Sequence, residues 1–361
     1  MPSRAVVWFR RDLRVTDHPA LLAALDAADE VVPVFVVDRT LLEGRPSGPN
    51  RRAFLLGALR ALARDLEALG GRLLVREGDP VTVIPSLARE AAAGAVWCSH
   101  EHTPYARRRD TAVERALRAD GRTLHPMPGI YLSDFDEIRK ADGDPYRIYS
   151  PFARAAKEAA WDDPLPAPRR VPVPDVTGAS HPGPDGFDLD GAVETTPPDP
   201  EAALERLRWF AERRVDGYGR SRNSMAIDGT SRLSPYLRFG LISPRQVAAT
   251  VGRFEFEDDP EGLAAWREGR TGYPLVDAGM RQLTGQVAGS GTDAAPFYRI
   301  FNPVTQAEKF DPDGDYIRRW VPELSKLDPP AIFAPWQAAP ADLEKPASAS
   351  ARTTRSRSST T

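Results

Sequence analysis

The sequence predicts two domains, a doubly wound α/β domain followed by an all-α domain. Residues 1–128 alternate between short β-rich apolar runs and helical stretches, which indicates a five-stranded parallel sheet with helices on both faces. From residue 201 onward the pattern is helical, and no strand alternation returns. Between these regions, residues 162–200 hold 10 of the 35 prolines and show no sustained periodicity.

Five short runs are predicted as the strands of the sheet, because each is dominated by residues that favour extended backbone. They are residues 5–9, 31–38, 72–77, 95–99 and 123–127. The turn after the first run, "FRRDLRVTDHP", lacks the G-x-G-x-x-G pattern. We therefore expect no dinucleotide site of the usual kind there.

The clearest predicted helix spans residues 50–70. Its leucines at 55, 59, 62, 66 and 69 recur in steps of four and three, which places them on one face. Asn50 is predicted to cap the start of this helix, and Gly70 is predicted to end it.

The proline-rich segment is predicted to be a linker that runs over the surface and is not a core element. The predicted organisation is an α/β domain at 1–128, a linker at 129–200, an incomplete helical domain at 201–336 and a disordered Ser/Thr/Arg-rich tail at 337–361.

Composition narrows the class of protein. The hydrophobic fraction is 41% and the net charge is -3, which are ordinary for a globular chain of 361 residues. No run of 18 apolar residues and no secretory signal is present. The lone Cys98 excludes an internal disulfide and a Cys-rich metal site. A cytoplasmic monomer without a membrane partner is expected.

A hydroxyl cluster precedes the predicted helix "SPYLRFG". Thr230, Ser231 and Ser234 bring short hydroxyls and backbone N–H groups to its start, which favours a phosphate. A simple capping cluster is the alternative. Ten arginines and only three acidic residues lie between Arg206 and Arg253, so this stretch carries a charge of +7. That charge favours a phosphate-rich ligand over a merely solvated helix face.

Two histidines, His100 and His102, alternate after the fourth predicted strand. Because no cysteine or third ligand lies nearby, two histidines on the surface or in a cleft are preferred to a metal site.

Five motifs resemble the DNA photolyase/cryptochrome family and are most similar to photolyases that repair cyclobutane pyrimidine dimers. They span about residues 5–336. The motifs are "VVWFRRDLRVTDHPALLAAL", "GDPYRIYSPFARA", "GTSRLSPYLRFGLISPRQV", "EGRTGYPLVDAGMRQL" and "GTDAAPFYRIFNPVTQAEKFDPDGDYIRRWVPEL".

The resemblance implies an α/β antenna domain and a helical domain that binds FAD and DNA containing pyrimidine dimers. In that family, reduced FAD passes an electron to a dimer flipped out of the duplex, which then splits. The resemblance assigns DNA contacts to Arg222 and Gln306. It assigns FAD contacts, mainly around the phosphates, to Tyr218, Thr230, Ser231, Arg232, Leu233 and Ser234.

The resemblance also exposes two gaps. Family members carry several more helices between "MRQL" and "GTDAAP", which hold the flavin ring, whereas Thr284–Gly285 stands here. A second gap lies near "ATVGRFEF", and Phe256 occupies the position of a tryptophan that feeds electrons to the flavin. No catalytic residue is assigned, and we expect weak FAD binding and negligible light-driven repair.

The antenna chromophore stays open. "SHEHTPYARRRD" matches the region where some relatives bind a folate, but the expected carboxylate falls on Ala106. Folate, a deazaflavin and no antenna are the alternatives. A cryptochrome-like photosensor and a degenerate member without activity are the other functional hypotheses.

Overall fold

The computed structural model describes residues 2–42, 48–132, 138–146, 148, 151–152, 155–156, 162–176, 187–193, 196–215, 218, 227–256, 311–321 and 324–335. The chain forms two compact units. The first consists of Met1–Val215 with Ser231–Gly291, and the second of Asp216–Thr230 with Thr292–Thr361.

The first unit begins with alternating strands and helices. These are β1 (Arg4–Phe9), α1 (Pro19–Ala27), β2 (Glu30–Val37), α2 (Arg39–Leu42), α3 (Pro49–Ala68), β3 (Leu74–Glu77), α4 (Pro80–Glu90), β4 (Ala95–Ser99), α5 (Pro104–Ala119) and β5 (Thr123–Met127). Three further helices follow in the same unit, α6 (Pro200–Arg213), α7 (Ser234–Phe239) and α8 (Pro244–Phe256).

The five strands form one parallel sheet in the order β3-β2-β1-β4-β5, which confirms the predicted sheet. The chain moves outward from β1 to β3 and then returns to place β4 on the other side of β1. The order therefore reverses between β1 and β4. In sheets of this kind, ligands bind beyond the carboxyl ends of the strands at that point.

Helix α3 shows what the leucine pattern could and could not predict. Leu59, Leu62 and Leu66 are fully buried, as predicted. The predicted cap was wrong, because Pro49 takes the first helical position after Gly48. Asn50 instead accepts a hydrogen bond from the Val193 N–H at 2.7 Å. Gly70 ends the helix as predicted, with a left-handed φ of 76°.

The prediction that the proline-rich segment is not a core element was wrong for residues 162–176. They form neither helix nor strand, yet Val171 is fully buried and Val176 belongs to the core cluster beneath the sheet. The N–H of Val31, in β2, donates to Pro172 O at 2.8 Å. Prolines keep this backbone extended, so valines in the segment can be buried while its carbonyls remain available to the sheet edge.

The second unit contains a short helix, α9 (Asp315–Trp320), and a 3-10 turn at Ala331–Phe333. Leu327, Ile332 and Phe333 form its small buried cluster. Across the described residues of both units, no helix combines the length and apolarity needed to cross a bilayer.

Candidate functional site

A cavity of about 260 Å³ opens at the carboxyl end of the sheet, at the point where the strand order reverses. We call it the strand-end pocket. Its walls come from the ends of β1 and β2, from the segment that follows β4, and from α3 and α7. The fold rule for doubly wound sheets therefore places a ligand here.

The walls combine flat apolar surface with cations. Phe35, Leu42, Leu55 and Phe239 supply apolar surface, and Phe239 stacks on Phe54 with ring centroids 5.3 Å apart. Against two carboxylates, six arginines line the cavity: Arg10, Arg11, Arg51, Arg52, Arg109 and Arg238. Such a lining suits a planar aromatic ligand that carries an anionic group.

A buried ion network forms the floor of the strand-end pocket. Arg10 lies 3.3 Å from Glu101 and donates to Asp110 at 2.7 Å. Arg109 donates to the same two carboxylates at 3.0 and 2.8 Å. Both guanidinium carbons also lie over the ring of Trp8, 4.6 and 4.8 Å from its centroid. The two arginines are therefore fixed before any ligand arrives.

The network controls ionisation at the floor. Burial by itself would raise the pKa of Glu101, but Arg10, Arg109 and Arg11 outweigh that effect and lower the pKa below its usual range. Glu101 therefore stays ionised at neutral pH, and its charge offsets part of the arginine cluster.

At the rim of the strand-end pocket, the positive charges of Arg11, Arg51 and Arg238 lie close together. Burial, followed by the like charges of Arg11 and Arg51, lowers the pKa of Arg238 to about 10, although Glu101 acts in the opposite direction. The side chain of Arg238 still keeps an exposed outer surface. A ligand phosphate beside these guanidiniums would relieve their mutual repulsion.

On another wall, the Tyr105 hydroxyl donates to the carboxylate of Asp38. Burial and this carboxylate together raise the pKa of Tyr105. Tyr105 therefore remains a neutral phenol, a polar contact on an otherwise apolar wall.

The loop Arg10–His18, which follows β1, is held by buried carboxylates. Asp12 accepts from the Arg10 N–H at 2.7 Å and from the Ser99 hydroxyl at 2.5 Å, and it lies 3.1 Å from His18 Nε2. Burial opposes ionisation of Asp12, yet these partners, led by His18, lower its pKa strongly. Asp17 accepts two bonds from Arg245 of α8, at 2.5 and 3.2 Å, with both side chains buried.

The end of α7 rests directly on this loop. Leu13 N–H donates to Phe239 O at 3.1 Å, and Arg14 donates to Gly240 O at 3.1 Å. Gly240 has a φ of 72°, and a Cβ there would lie 2.1 Å from Arg11 O. Only glycine allows this approach, which brings Arg238 and Phe239 to the pocket wall.

The segment Ser231–Ser234 is the part of the predicted phosphate site that lies in the first unit. Arg232 is exposed and left-handed, with a φ of 53°, whereas Leu233 is buried. Leu233 occupies the cap position of α7 and makes no side-chain capping bond. At the start of α7, the Ser231 hydroxyl oxygen accepts a hydrogen bond from the Leu233 N–H at 3.5 Å. Phosphate binding and helix capping therefore both stay predictions for the hydroxyl cluster. Serine hydroxyls, an exposed guanidinium and left-handed backbone form a donor set that fits a phosphate.

The other predicted site residues are distributed differently. Tyr218, half-buried, and Thr230 belong to the second unit. Arg222 and Gln306 lie outside the described residues, as do the break at Thr284–Gly285 and the predicted disordered tail. The side chain of Phe256 is also outside the described set.

The two histidines stack on each other, with the ring centroids of His100 and His102 4.2 Å apart, and His102 also contacts Tyr131. Among the described residues, no three His, Cys, Asp or Glu side chains are grouped so that they could hold a metal ion. Ala106 is buried in the first turn of α5, so a methyl group stands where a folate-binding carboxylate is expected.

Sequence reasoning missed the residues of the strand-end pocket, above all Arg11, Asp38, Tyr105 and Arg238. They are scattered over more than 200 positions, and no short motif joins them. The strand order was the available signal, because it identifies which strand ends meet at the reversal point.

Comparison with known families gives matches along most of the chain. The family model described as DNA photolyase matches residues 5–169. The model described as the FAD binding domain of DNA photolyase matches in two pieces, 238–287 and 284–356.

Individual proteins agree. A deoxyribodipyrimidine photo-lyase of Agrobacterium fabrum is 32% identical over 443 aligned positions, which cover 94% of this chain and 91% of the relative. A bacterial class III photolyase from Agrobacterium tumefaciens has a similar structure, with a TM-score of 0.70 and 30% identity over 95% of this chain and 91% of that one. An archaeal photolyase from Sulfolobus tokodaii, solved with two FAD molecules, shares the fold with a TM-score of 0.66 and 22% identity over 93% and 94% of the two chains.

Proposed function

Because the chain belongs to the DNA photolyase family, we propose that it is an FAD-dependent deoxyribodipyrimidine photo-lyase, a light-driven enzyme for cyclobutane pyrimidine dimers in DNA, with much reduced activity. The observation that carries this proposal is the segment Ser231–Ser234, in which serine hydroxyls and the exposed, left-handed Arg232 form a donor set that suits the diphosphate of FAD. Tyr218 and Thr230 are FAD contacts carried over from the family.

When bound, FAD supplies light absorption and one-electron chemistry, and the protein positions it. In this chain, the serines and the backbone of Ser231–Ser234 would hold the phosphates, and Arg232 would offset their charge. These groups bind and orient the cofactor at its phosphate end, away from the ring.

Reduced activity is proposed because the ring-holding helices have no counterpart in the sequence. Two findings support a gap at that point. The two matches to the FAD-domain model meet at residues 284–287, beside the break after Leu283. The alignment with the Agrobacterium fabrum relative has 443 positions, more than the 361 residues of the whole chain, so the relative contains residues absent here. FAD should therefore bind weakly, with a mobile ring.

The strand-end pocket is proposed to hold a second chromophore. Its flat apolar walls and six arginines favour an aromatic ring system that carries a phosphate or carboxylate. The archaeal relative with two FAD molecules is consistent with a flavin in this role. Buried Ala106, at the position where a folate-binding carboxylate is expected, argues against a folate, while a deazaflavin with an acidic tail would satisfy the same chemistry.

DNA binding is proposed to depend on the arginine-rich stretch, with Arg222 and Gln306 as contacts carried over from the family. Phosphate contacts of this kind give weak, salt-sensitive and largely damage-blind binding. The predicted cytoplasmic location and monomeric state remain predictions.

The test begins with the flavin absorbance of the purified chain after incubation with FAD. It continues with repair of a dimer-containing oligonucleotide under near-UV light. We expect weak FAD binding that the double change S231A/S234A abolishes, and repair close to the dark control.

The exposed Ser3 serves as the control through Ser3→Ala. Tight FAD binding with efficient repair would contradict the reduced activity. Tight binding without repair would favour a photosensor, and an absence of FAD binding would favour a degenerate scaffold.

A further inference from the structure

Arg206, in helix α6, contacts the segment Ser231–Ser234, which we call the phosphate segment. Its Nε–H donates to the carbonyl oxygen of Ser231 at 2.9 Å. Its guanidinium carbon lies 3.9 Å from the ring centroid of Trp209, one helical turn further along α6. Arg214 lies 5.4 Å from the same ring. The Arg206 side chain is thus both stacked and hydrogen-bonded.

The bond reaches the Ser231–Arg232 peptide group, which directly precedes the left-handed residue of the segment. In a trans peptide, the carbonyl and the following N–H point in opposite directions. A donor that fixes Ser231 O therefore also fixes the direction of the Arg232 N–H, which points away from α6. The same peptide sets the left-handed φ of Arg232, a conformation that a residue with a Cβ adopts only when its surroundings enforce it.

We propose that Arg206 is a positioning residue for the cofactor phosphates. It holds the Ser231–Arg232 peptide in the left-handed arrangement that presents the donors of Ser231–Ser234 together. Trp209 assists by keeping the guanidinium plane in place, because a flat cation stacks on an indole face. The proposal rests on the proposed function in one respect, namely that these donors bind the FAD phosphates.

The remainder of the segment is anchored from the other side. Leu233 and Tyr236 are buried, and Tyr236 packs edge-on against Phe54 with centroids 5.8 Å apart. Arg232, directly before Leu233, and Ser234, directly after it, are exposed. Burial therefore fixes where the segment sits, while the bond from Arg206 fixes how its exposed peptide is turned.

The first experiment needs no cofactor. Hydrogen–deuterium exchange of the peptide covering 229–237 is compared in the full-length wild type, Arg206→Met, Arg206→Lys and the control Arg208→Met. Arg208 is an exposed arginine on the same helix. We expect exchange about tenfold faster in Arg206→Met, the effect of losing one charge-assisted hydrogen bond. Arg208→Met should leave it unchanged, and Arg206→Lys, which keeps the charge but not the planar stack, should lie in between.

Two outcomes of this experiment would overturn the proposal. One is unchanged exchange at 229–237 in Arg206→Met. The other is an acceleration that extends equally through 200–213, since that would show a general loosening of α6 and no specific role toward the segment. The lysine variant guards against a methionine variant that fails to fold.

The second experiment measures the dissociation constant of FAD for the same variants. We expect Arg206→Met to weaken FAD about tenfold and Arg208→Met to have no effect. If wild type binds no FAD, the proposed function fails, while the exchange experiment still decides the role of Arg206. If exchange accelerates at 229–237 but FAD affinity is unchanged, the segment is positioned by Arg206 without serving the phosphates, and the proposal is rejected.

Discussion

The strand-end pocket and the segment Ser231–Ser234 offer similar chemistry to an anionic cofactor but are supported in different ways. Two arginines of the pocket, Arg10 and Arg109, are fixed by shared carboxylates, Glu101 and Asp110, and by the ring of Trp8. The segment is open to solvent at Arg232 and Ser234, and its Ser231 carbonyl oxygen accepts a hydrogen bond from Arg206.

The difference shows where preorganisation comes from. In the pocket, desolvated ion pairs make the cations rigid and keep the carboxylates ionised, so the binding surface exists without a ligand. On the segment, contacts to phosphate are screened by water and salt. Loss of ring-holding helices would therefore affect FAD far more than a chromophore in the pocket.

The largest expected effect comes from breaking the ion pair that connects the loop Arg10–His18 to α8. Arg245→Met removes the cation that pairs with the buried Asp17 carboxylate and leaves it the hydrogen bond from the Leu165 N–H, which should cost about 3–5 kcal/mol of unfolding free energy. Urea unfolding measures this loss. Arg107→Met, at an exposed position of α5, is the control and should cost less than about 0.5 kcal/mol. A small loss in Arg245→Met would mean that the pocket and α8 are stabilised independently.

Acid should weaken the pocket side through Asp12 and Glu101, whose pKa values are lowered in the folded protein. A lowered pKa stabilises the fold above the unfolded value, about 4, and this stabilisation is lost as the pH falls below that value toward the folded pKa. Asp12→Asn should therefore cost about 2 kcal/mol at pH 7, and the difference from wild type should narrow below about pH 4.

Unfolding curves at several pH values measure that difference. Exposed Asp26→Asn is the matched control, for which we expect only a small difference from wild type. A difference for Asp12→Asn that stays constant down to pH 2 would show that the Asp12 charge does not stabilise the loop.

Arg238 tests the ligand preference of the pocket. Because its guanidinium crowds Arg11 and Arg51 at the rim, Arg238→Gln should weaken flavin mononucleotide about tenfold and leave riboflavin, which lacks the phosphate, almost unaffected. Fluorescence titration of both flavins measures this, with Arg107→Gln as the control. Equal weakening of both flavins would show that the phosphate does not bind beside Arg238.

The smallest expected effect concerns DNA. Arg222→Ala should flatten the slope of log K against log salt by about one unit, as the loss of one phosphate contact requires. Binding to undamaged and dimer-containing duplexes should weaken alike. Arg60→Ala, on the exposed face of α3, is the control. A slope equal to that of wild type would remove Arg222 from the interface.

Much of the fold followed from local pattern. The bounds of β4 and β5 agree with the predicted runs. Short apolar runs between helical stretches are a local pattern, so they could be recognised without knowledge of the fold. The cap of α3 did not follow, because Pro49 competes with Asn50 for the start of the helix. Burial of Val171 and Val176 was missed because it depends on the sheet edge that they cover, which only the assembled fold supplies.

The site divides in the same way. The hydroxyl cluster at 230–234 is contiguous, so a motif revealed it. Arg206 and Arg238 act through distant parts of the chain, and their neighbours in sequence carry no sign of the role. The strand order predicts where the pocket lies. It does not predict which residues line it, because side chains from α3, α5 and α7 meet there only when the helices pack together.

Helix α7 sets the distance between the two proposed binding regions. It begins at Ser234, in the phosphate segment, and its end supplies Arg238 and Phe239 to the pocket, with Gly240 seated on Arg11 and Asp12. At 1.5 Å per residue, its six residues separate the two ends by about 9 Å. The helix thus keeps the strand-end pocket and the segment Ser231–Ser234 at a fixed distance from each other. One inserted residue would turn Arg238 and Phe239 by about 100° around the helix axis and so remove them from the pocket wall, while the start of the helix at Ser234 stayed in place.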